Sequence, residues 1–261
     1  MPEPFYLFTV IFLGLCLGSF ATAMAWRVPR GIRMTGKERS ACTSCGRTLG
    51  VLDLIPVFSW VFLQGKCRRC GAKISWRYPL IELSTLGLCL FFYGMYGFTP
   101  EAFALFALAP LLVSMAAIDF SHKIIPDSLN LAVLATGAAL LLFNGVFLEG
   151  PAFVMEQGKQ ALMGALLYPA VAIGMRYIFM IVMKREPLGL GDVKFFGAAG
   201  FWLGMNMAAA GLFMIVSGLS GIVLALAWKK LSGEDEFPFG PALFLGFVTV
   251  LCVHPPAFFL Q

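Results

Sequence analysis

Long apolar runs separated by short polar interruptions recur along almost the whole chain. A helix needs about 20 apolar residues to cross about 30 Å of hydrocarbon. Eight stretches fit or approach that length: Phe5–Trp26, Pro79–Gly97, Ala102–Ile118, Leu129–Phe147, Ala161–Met183, Val193–Gly204, Met207–Trp228 and Phe239–Leu260. The sixth holds only 12 residues, too few for a full bilayer unless the membrane thins or the segment belongs to a broken helix. The pattern predicts an all-α polytopic membrane protein with about eight transmembrane helices. One long polar segment breaks the rhythm, giving an expected division into a first span (1–26), a cytoplasmic loop domain (27–78) and a transmembrane core (79–261). No basic run precedes the first apolar stretch, and no small-x-small site followed by a hydrophilic domain comes after it. It is expected to be a retained span rather than a cleaved signal.

Composition agrees with the pattern. Of 261 residues, 59% are hydrophobic and 13% charged, against about 25% charged in a soluble domain. The charges orient the bundle: 11 of the 19 Lys and Arg fall between Arg27 and Arg77, and others sit at Lys123, Lys184, Arg185, Lys229 and Lys230. The positive-inside rule makes those loops cytoplasmic. Alternation then places the loop around Glu149 and Glu156 outside, and the ends of the runs at Asp119 and Asp192 inside.

Those two aspartates are the chemically interesting residues. A carboxylate at the edge of a membrane segment is costly and marks a functional site by default. Asp192 lies in Gly189-Leu190-Gly191-Asp192-Val193-Lys194 and Asp119 ends the run Ala116-Ala117-Ile118-Asp119. Two carboxylates on one face can hydrolyse a peptide if one, ionised, takes a proton from water while the other, protonated, donates to the scissile carbonyl. Like charges at close range share a proton, so the pair titrates as a unit. Gly189 and Gly191 offer positive φ or a close approach of the backbone to a substrate chain. Around them, Asp127 is expected to cap the helix beginning near Leu129. Lys194 is expected to act on the dyad or on lipid phosphate, and Glu82 to sit at the interface, pair with Arg77 or serve methyl transfer. Glu234-Asp235-Glu236 reads as a solvated turn.

The polar loop carries Cys42-Thr43-Ser44-Cys45-Gly46 and Cys67-Arg68-Arg69-Cys70-Gly71. Two Cys-x2-Cys pairs supply the four thiolates of a closed tetrahedral zinc site, and the glycines suit turns that aim amides at sulfur. Four protein ligands leave no position for a catalytic water, so Zn2+ at Cys42, Cys45, Cys67 and Cys70 would be structural. Basic residues around the pairs fit attraction to anionic lipid. The tethered loop lacks the aromatic stripe expected for nucleic-acid stacking, so no nucleic-acid partner is expected.

The string from Pro56 through Trp60, Gly65, Cys67, Cys70, Trp76, Arg77, Tyr78 and Pro79 to Glu82 resembles the cytoplasmic loop and second-span entry of bacterial type IV prepilin peptidases. Gly18-Ser19-Phe20 with Arg27-Val28-Pro29, Asp119 with Ile125-Pro126-Asp127, the Gly189–Lys194 string and Pro238-Phe239-Gly240-Pro241 extend the resemblance in order over nearly the whole chain. One departure stands out: after Gly-Ser-Phe the family usually has Leu-Asn-Val, and here Ala21-Thr22-Ala23 follows.

The resemblance implies a Gly-x-Gly-Asp aspartyl protease of the bacterial inner membrane. Such an enzyme removes the basic leader of type IV prepilins or pseudopilins after a glycine at the cytoplasmic face, then methylates the new N-terminus with S-adenosylmethionine. Asp119 and Asp192 fall on its catalytic pair and the four loop cysteines on its zinc tetrad. The sequence has no Gly-x-Gly-x-x-Gly after a strand for a nucleoside cofactor, so methyl transfer rests on the resemblance alone. Two other functions fit the bare residues: a zinc-stapled transporter using the aspartates as a proton or cation relay, and a scaffold with a docking loop. A relay favours carboxylates at mid-span, whereas these lie at the ends of their runs.

Overall fold

A computed structural model describes residues 3–36, 39–183, 188–234 and 236–259. Lys37, Lys184, Arg185, Asp235 and Leu260, used in the sequence reading, lie outside the described residues. Lipid cannot hydrogen-bond main-chain N–H and C=O groups, so spanning segments must satisfy them internally. All eight apolar stretches are accordingly helical. They are α1 (Glu3–Arg27), α3 (Arg77–Tyr96), α4 (Pro100–His122), α5 (Asp127–Asn144), α6 (Pro151–Met183), α7 (Leu190–Leu203), α8 (Met207–Ser232) and α9 (Gly240–Val253), with a one-turn α2 (Phe58–Phe62) in the polar loop. No strands occur among the described residues, only two isolated antiparallel bridges in the loop.

Among the described residues six helices are long and apolar enough to cross a membrane, making this a multi-pass membrane protein. The two exceptions, α7 and α9, have 14 residues each, and local chemistry ends both. Gly204 closes α7 at φ +66°. Asn206 then caps α8, its side-chain oxygen accepting from the N–H groups of Ala208 and Ala209 at 3.0 and 3.1 Å. The last stretch was expected to run to Leu260, but the helix stops before Pro255-Pro256, which cannot continue it.

The chain packs as two compact units, Met1–Ala117 and Ile118–Gln261, the division falling inside α4. In the first unit α1 lies against α3 through Gly14 and Gly18. A Cβ on Gly18 would sit 2.8 Å from both the Cα and the carbonyl oxygen of Glu82, so only glycine permits this approach.

In the second unit α7 is the packed centre, with nine of its 14 residues buried. Gly164 of α6 and Gly200 of α7 meet main chain to main chain, leaving no room for a side chain on either. Trp202, fully buried, donates its indole N–H to the Val133 carbonyl of α5 at 2.8 Å. Its ring joins Phe247 and Phe258 in an aromatic cluster. A short helix wrapped in this way holds the residues at its N-terminus firmly, and Asp192 is one of them.

Candidate active site and metal centre

Asp119 occupies the last turn of α4 and is 4% exposed. Its Oδ2 accepts the main-chain N–H of Gly240 at 2.7 Å. Gly240 is the first residue of α9, whose N-cap, Phe239, offers no side-chain acceptor. A carboxylate from far away in sequence therefore satisfies a helix N-terminus, where the peptide dipoles favour an anion. A Cβ at position 240 would lie 2.9 Å from that same oxygen.

Asp192 is the third residue of α7, and its Oδ2 accepts the N–H of Gly189, the N-cap, at 2.9 Å. This is half of a reciprocal capping arrangement, since glycine has no side chain to return the bond. Both aspartates thus have one oxygen anchored by a main-chain N–H at the start of a helix. Both lie in the second compact unit, within electrostatic range of each other; in the sequence their membrane face and the family resemblance linked them. Among the described residues no cation pairs with either carboxylate.

Several neighbours depart from expectation. Neither glycine uses positive φ: Gly189 is extended at φ −68° and Gly191 is helical. Gly191 instead presses on Ile125, whose carbonyl oxygen would be 3.0 Å from a Cβ there. Its freedom serves packing of the active segment against the turn before α5. Asp127 makes no cap; it is the first residue of α5, and both its oxygens lie 2.7 Å from the Lys194 ammonium. Lys194 is therefore engaged by Asp127 rather than by the dyad. Glu234 and Glu236 are solvent-exposed and both approach Lys123, at 2.8 and 3.8 Å. Glu82 does not pair with Arg77, because an offset of five places them about 140° apart around the helix. Arg77 donates to the Ala117 carbonyl instead.

Sequence reasoning missed Asn130. It is buried in α5, donates to the Gly191 carbonyl at 3.3 Å, and leaves its own carbonyl oxygen buried without a partner. The available signal was an amide between two leucines in an apolar run.

In the first unit the two cysteine pairs form matching knuckles. The Cys42 and Cys67 amides donate to Arg47 and Ala72, while the Gly46 and Gly71 amides donate back to Cys42 and Cys67. The bridges Ala41–Thr48 and Lys66–Lys73 close each in the same register. Gly46 and Gly71 have φ of +68° and +70°, the left-handed geometry that lets each turn fold its amides over sulfur. The N–H groups of Cys70 and then Arg69 hold the Cys67 thiol down to about 6.

The four sulfurs lie within 4.8 Å of one another, with Cys42 and Cys70 at 4.0 Å. A tetrahedral ion with bonds of about 2.3 Å sets its sulfurs about 3.8 Å apart. The donor set therefore fits a metal ion with only a small contraction.

Comparison with known proteins adds an independent finding. The family model described as Bacterial Peptidase A24 N-terminal domain matches residues 12–96, and the Type IV leader peptidase family model matches residues 106–226. The chain is 32% identical over 255 residues to a type 4 prepilin-like proteins leader peptide-processing enzyme of Escherichia coli, covering 91% of this chain and 90% of that protein. It is 36% identical over 238 residues to a prepilin leader peptidase/N-methyltransferase of Myxococcus xanthus, covering 89% and 67%. A protein of the same name from Pseudomonas aeruginosa is 30% identical over 276 residues, covering 96% and 91%. No solved structure matches the chain.

Proposed function

Because this chain belongs to the type IV leader peptidase family, we propose that it is a membrane aspartyl endopeptidase with an associated N-methyltransferase activity. Its substrates are type IV prepilins or pseudopilins, cut after the glycine that ends their basic leader. The observation that carries this reading is that Asp119 and Asp192 lie in one compact unit within electrostatic range, each held by one main-chain N–H and, among the described residues, neither paired with a cation.

In this reading Asp119 and Asp192 share one proton, since two carboxylates at short range do not both ionise. The ionised member takes a proton from the attacking water, and the protonated member donates to the scissile carbonyl. The Gly240 and Gly189 amides fix the orientation of the carboxylates throughout. Residues 27–78 form a loop domain between a first span, 1–26, and a core, 79–261, with the dyad at the cytoplasmic face of the inner membrane. Cys42, Cys45, Cys67 and Cys70 would hold a structural Zn2+ that braces this loop. S-Adenosylmethionine would supply a methyl carbon that the new N-terminal amine takes through its lone pair, the carbon–sulfur electron pair staying on sulfur and one amine proton passing to solvent.

The relay reading gains nothing from the names of the relatives, and both aspartates lie at helix ends rather than at mid-span. The reading needs a lipid bilayer and a prepilin, and no nucleic acid. Its test uses purified protein and a precursor with a basic leader and a Gly–Phe junction. Asp119→Asn and Asp192→Asn should each lower cleavage by about three orders of magnitude. Processing at the wild-type rate by either variant would remove the dyad.

A further inference from the structure

A cavity of about 810 Å3 opens within the first compact unit, walled by α1, the entry of α3 and the cysteine loop. Its lining includes Ser19, Ala23, Trp26, Trp60 and Glu82. The catalytic reading above uses none of them.

Glu82 is the anomaly in this wall. It is buried at 9% exposure and accepts a single hydrogen bond, from the Val57 N–H at 2.6 Å. Among the described residues no cation pairs with it. A buried carboxylate without a counter-charge is costly and is normally paired or bound to a cation.

The donor that orients Glu82 is itself strained. Val57 has φ +62° and ψ −53°, and Phe58 N–H bonds back to the Pro56 carbonyl at 2.6 Å. This is a γ-turn of the rarer hand, at a β-branched residue that resists it. Strain of this sort persists where the surroundings hold a group in a set position. On the opposite side α1 passes so close to Glu82 that position 18 tolerates no side chain. The Val57 N–H thus holds the carboxylate and Gly18 presses on the main chain of the same residue, while Arg27, Arg39, Arg47, Arg68 and Lys73 of the cavity wall form no ion pair with it.

Glu82 offers the wall an acceptor for a cationic group, and the basic residues around it offer partners for an anionic one, so the lining suits a zwitterionic organic ligand that also carries a positive centre. The volume falls in the range of small-molecule and cofactor sites and far exceeds the needs of a bare metal ion. Two indoles line it, Trp60 and Trp26, the latter already under the Arg30 guanidinium at 4.7 Å, and an indole suits a stacked nucleobase. We propose that this cavity binds S-adenosylmethionine, with the Glu82 carboxylate as the counter-charge to its sulfonium. The assignment rests on the reading of the chain as an N-methyltransferase and supplies the site that reading lacks.

The test is equilibrium binding to the full-length protein in detergent, with S-adenosylmethionine and with S-adenosylhomocysteine, whose thioether is neutral. Glu82→Gln should weaken the sulfonium compound about tenfold and the thioether much less. Ala23→Phe, which fills the cavity without changing charge, should weaken both at least tenfold. Equal weakening of both compounds by Glu82→Gln overturns the charge pairing, and unchanged affinities in both variants overturn the cavity. A wild-type protein that cleaves precursor but binds neither compound overturns the methyltransferase reading itself, a separate failure. If Glu82→Gln loses the metal of the cysteine loop and so reports misfolding, Ala23→Phe alone decides.

Discussion

The carboxylate of Asp119 accepts the main-chain N–H of Gly240 at 2.7 Å, across 121 positions of sequence. One bond thereby ties the end of α4 to the start of α9 and orients half of the candidate dyad. The same oxygen would be 2.9 Å from a Cβ at position 240, so a methyl there must push the carboxylate away.

Gly240→Ala should therefore impair cleavage without removing a chemical group. Overpacking of this kind costs about 1–3 kcal/mol. Felt as lost orientation in the transition state, that corresponds to a fall of about fivefold to 150-fold in kcat. Steady-state kinetics on a prepilin substrate measure it, and a KM effect with unchanged kcat would show that Gly240 serves binding rather than the dyad.

How much of this was legible follows from the range of each interaction. Apolar runs report helices locally, so all eight stretches were found. Their ends depend on single residues: Gly204 and Asn206 between α7 and α8, and Pro255-Pro256 after α9. The cysteine pairs were legible because metal geometry dictates their spacing. The Gly240 bond, the pressure of Gly191 on Ile125 and the role of Asn130 were not, because each joins different helices and leaves no local pattern. Asp127 misled for the same reason. Its position before an apolar run reads as a cap, yet its partner Lys194 lies 67 residues away.

The pair of Asp127 with Lys194 should matter little. Their side chains are 68% and 53% exposed, and exposed ion pairs contribute about 0–1 kcal/mol. Lys194→Ala should leave precursor cleavage within about threefold of wild type, the equivalent of that energy or less. A loss as deep as that of Asp192→Asn would place Lys194 in the chemistry after all.

The cysteine knuckles predict a metal and its loss. Purified wild-type protein should carry about one zinc per chain, the stoichiometry of a single four-thiolate site. Cys45→Ser should lose the ion on dialysis against a chelator and show a lower melting midpoint, since binding of a structural ion is itself folding free energy. Atomic absorption and a thermal scan measure both. Full metal content in Cys45→Ser would take that residue out of the site.

Asp53 gives the loop a dependence on pH that is separate from the metal. The Gly50 N–H, then Arg68 and Arg47, hold its carboxyl below the ordinary carboxylate value, against the opposing effect of burial. A group whose folded value is depressed stabilises the fold fully above its unfolded value, about 3.9, and loses that stabilisation as pH falls through the folded value. Asp53→Asn should accordingly lower the melting midpoint at pH 7, where wild-type Asp53 is ionised and bonded to both arginines. The gap between the two proteins should stay constant down to about pH 4, then narrow as acid protonates Asp53 in the wild type. Thermal scans from pH 7 to pH 3 follow the gap. A difference that grows toward acid would mean that Asp53 is bound in its protonated form, and the account of its two arginines would then be wrong.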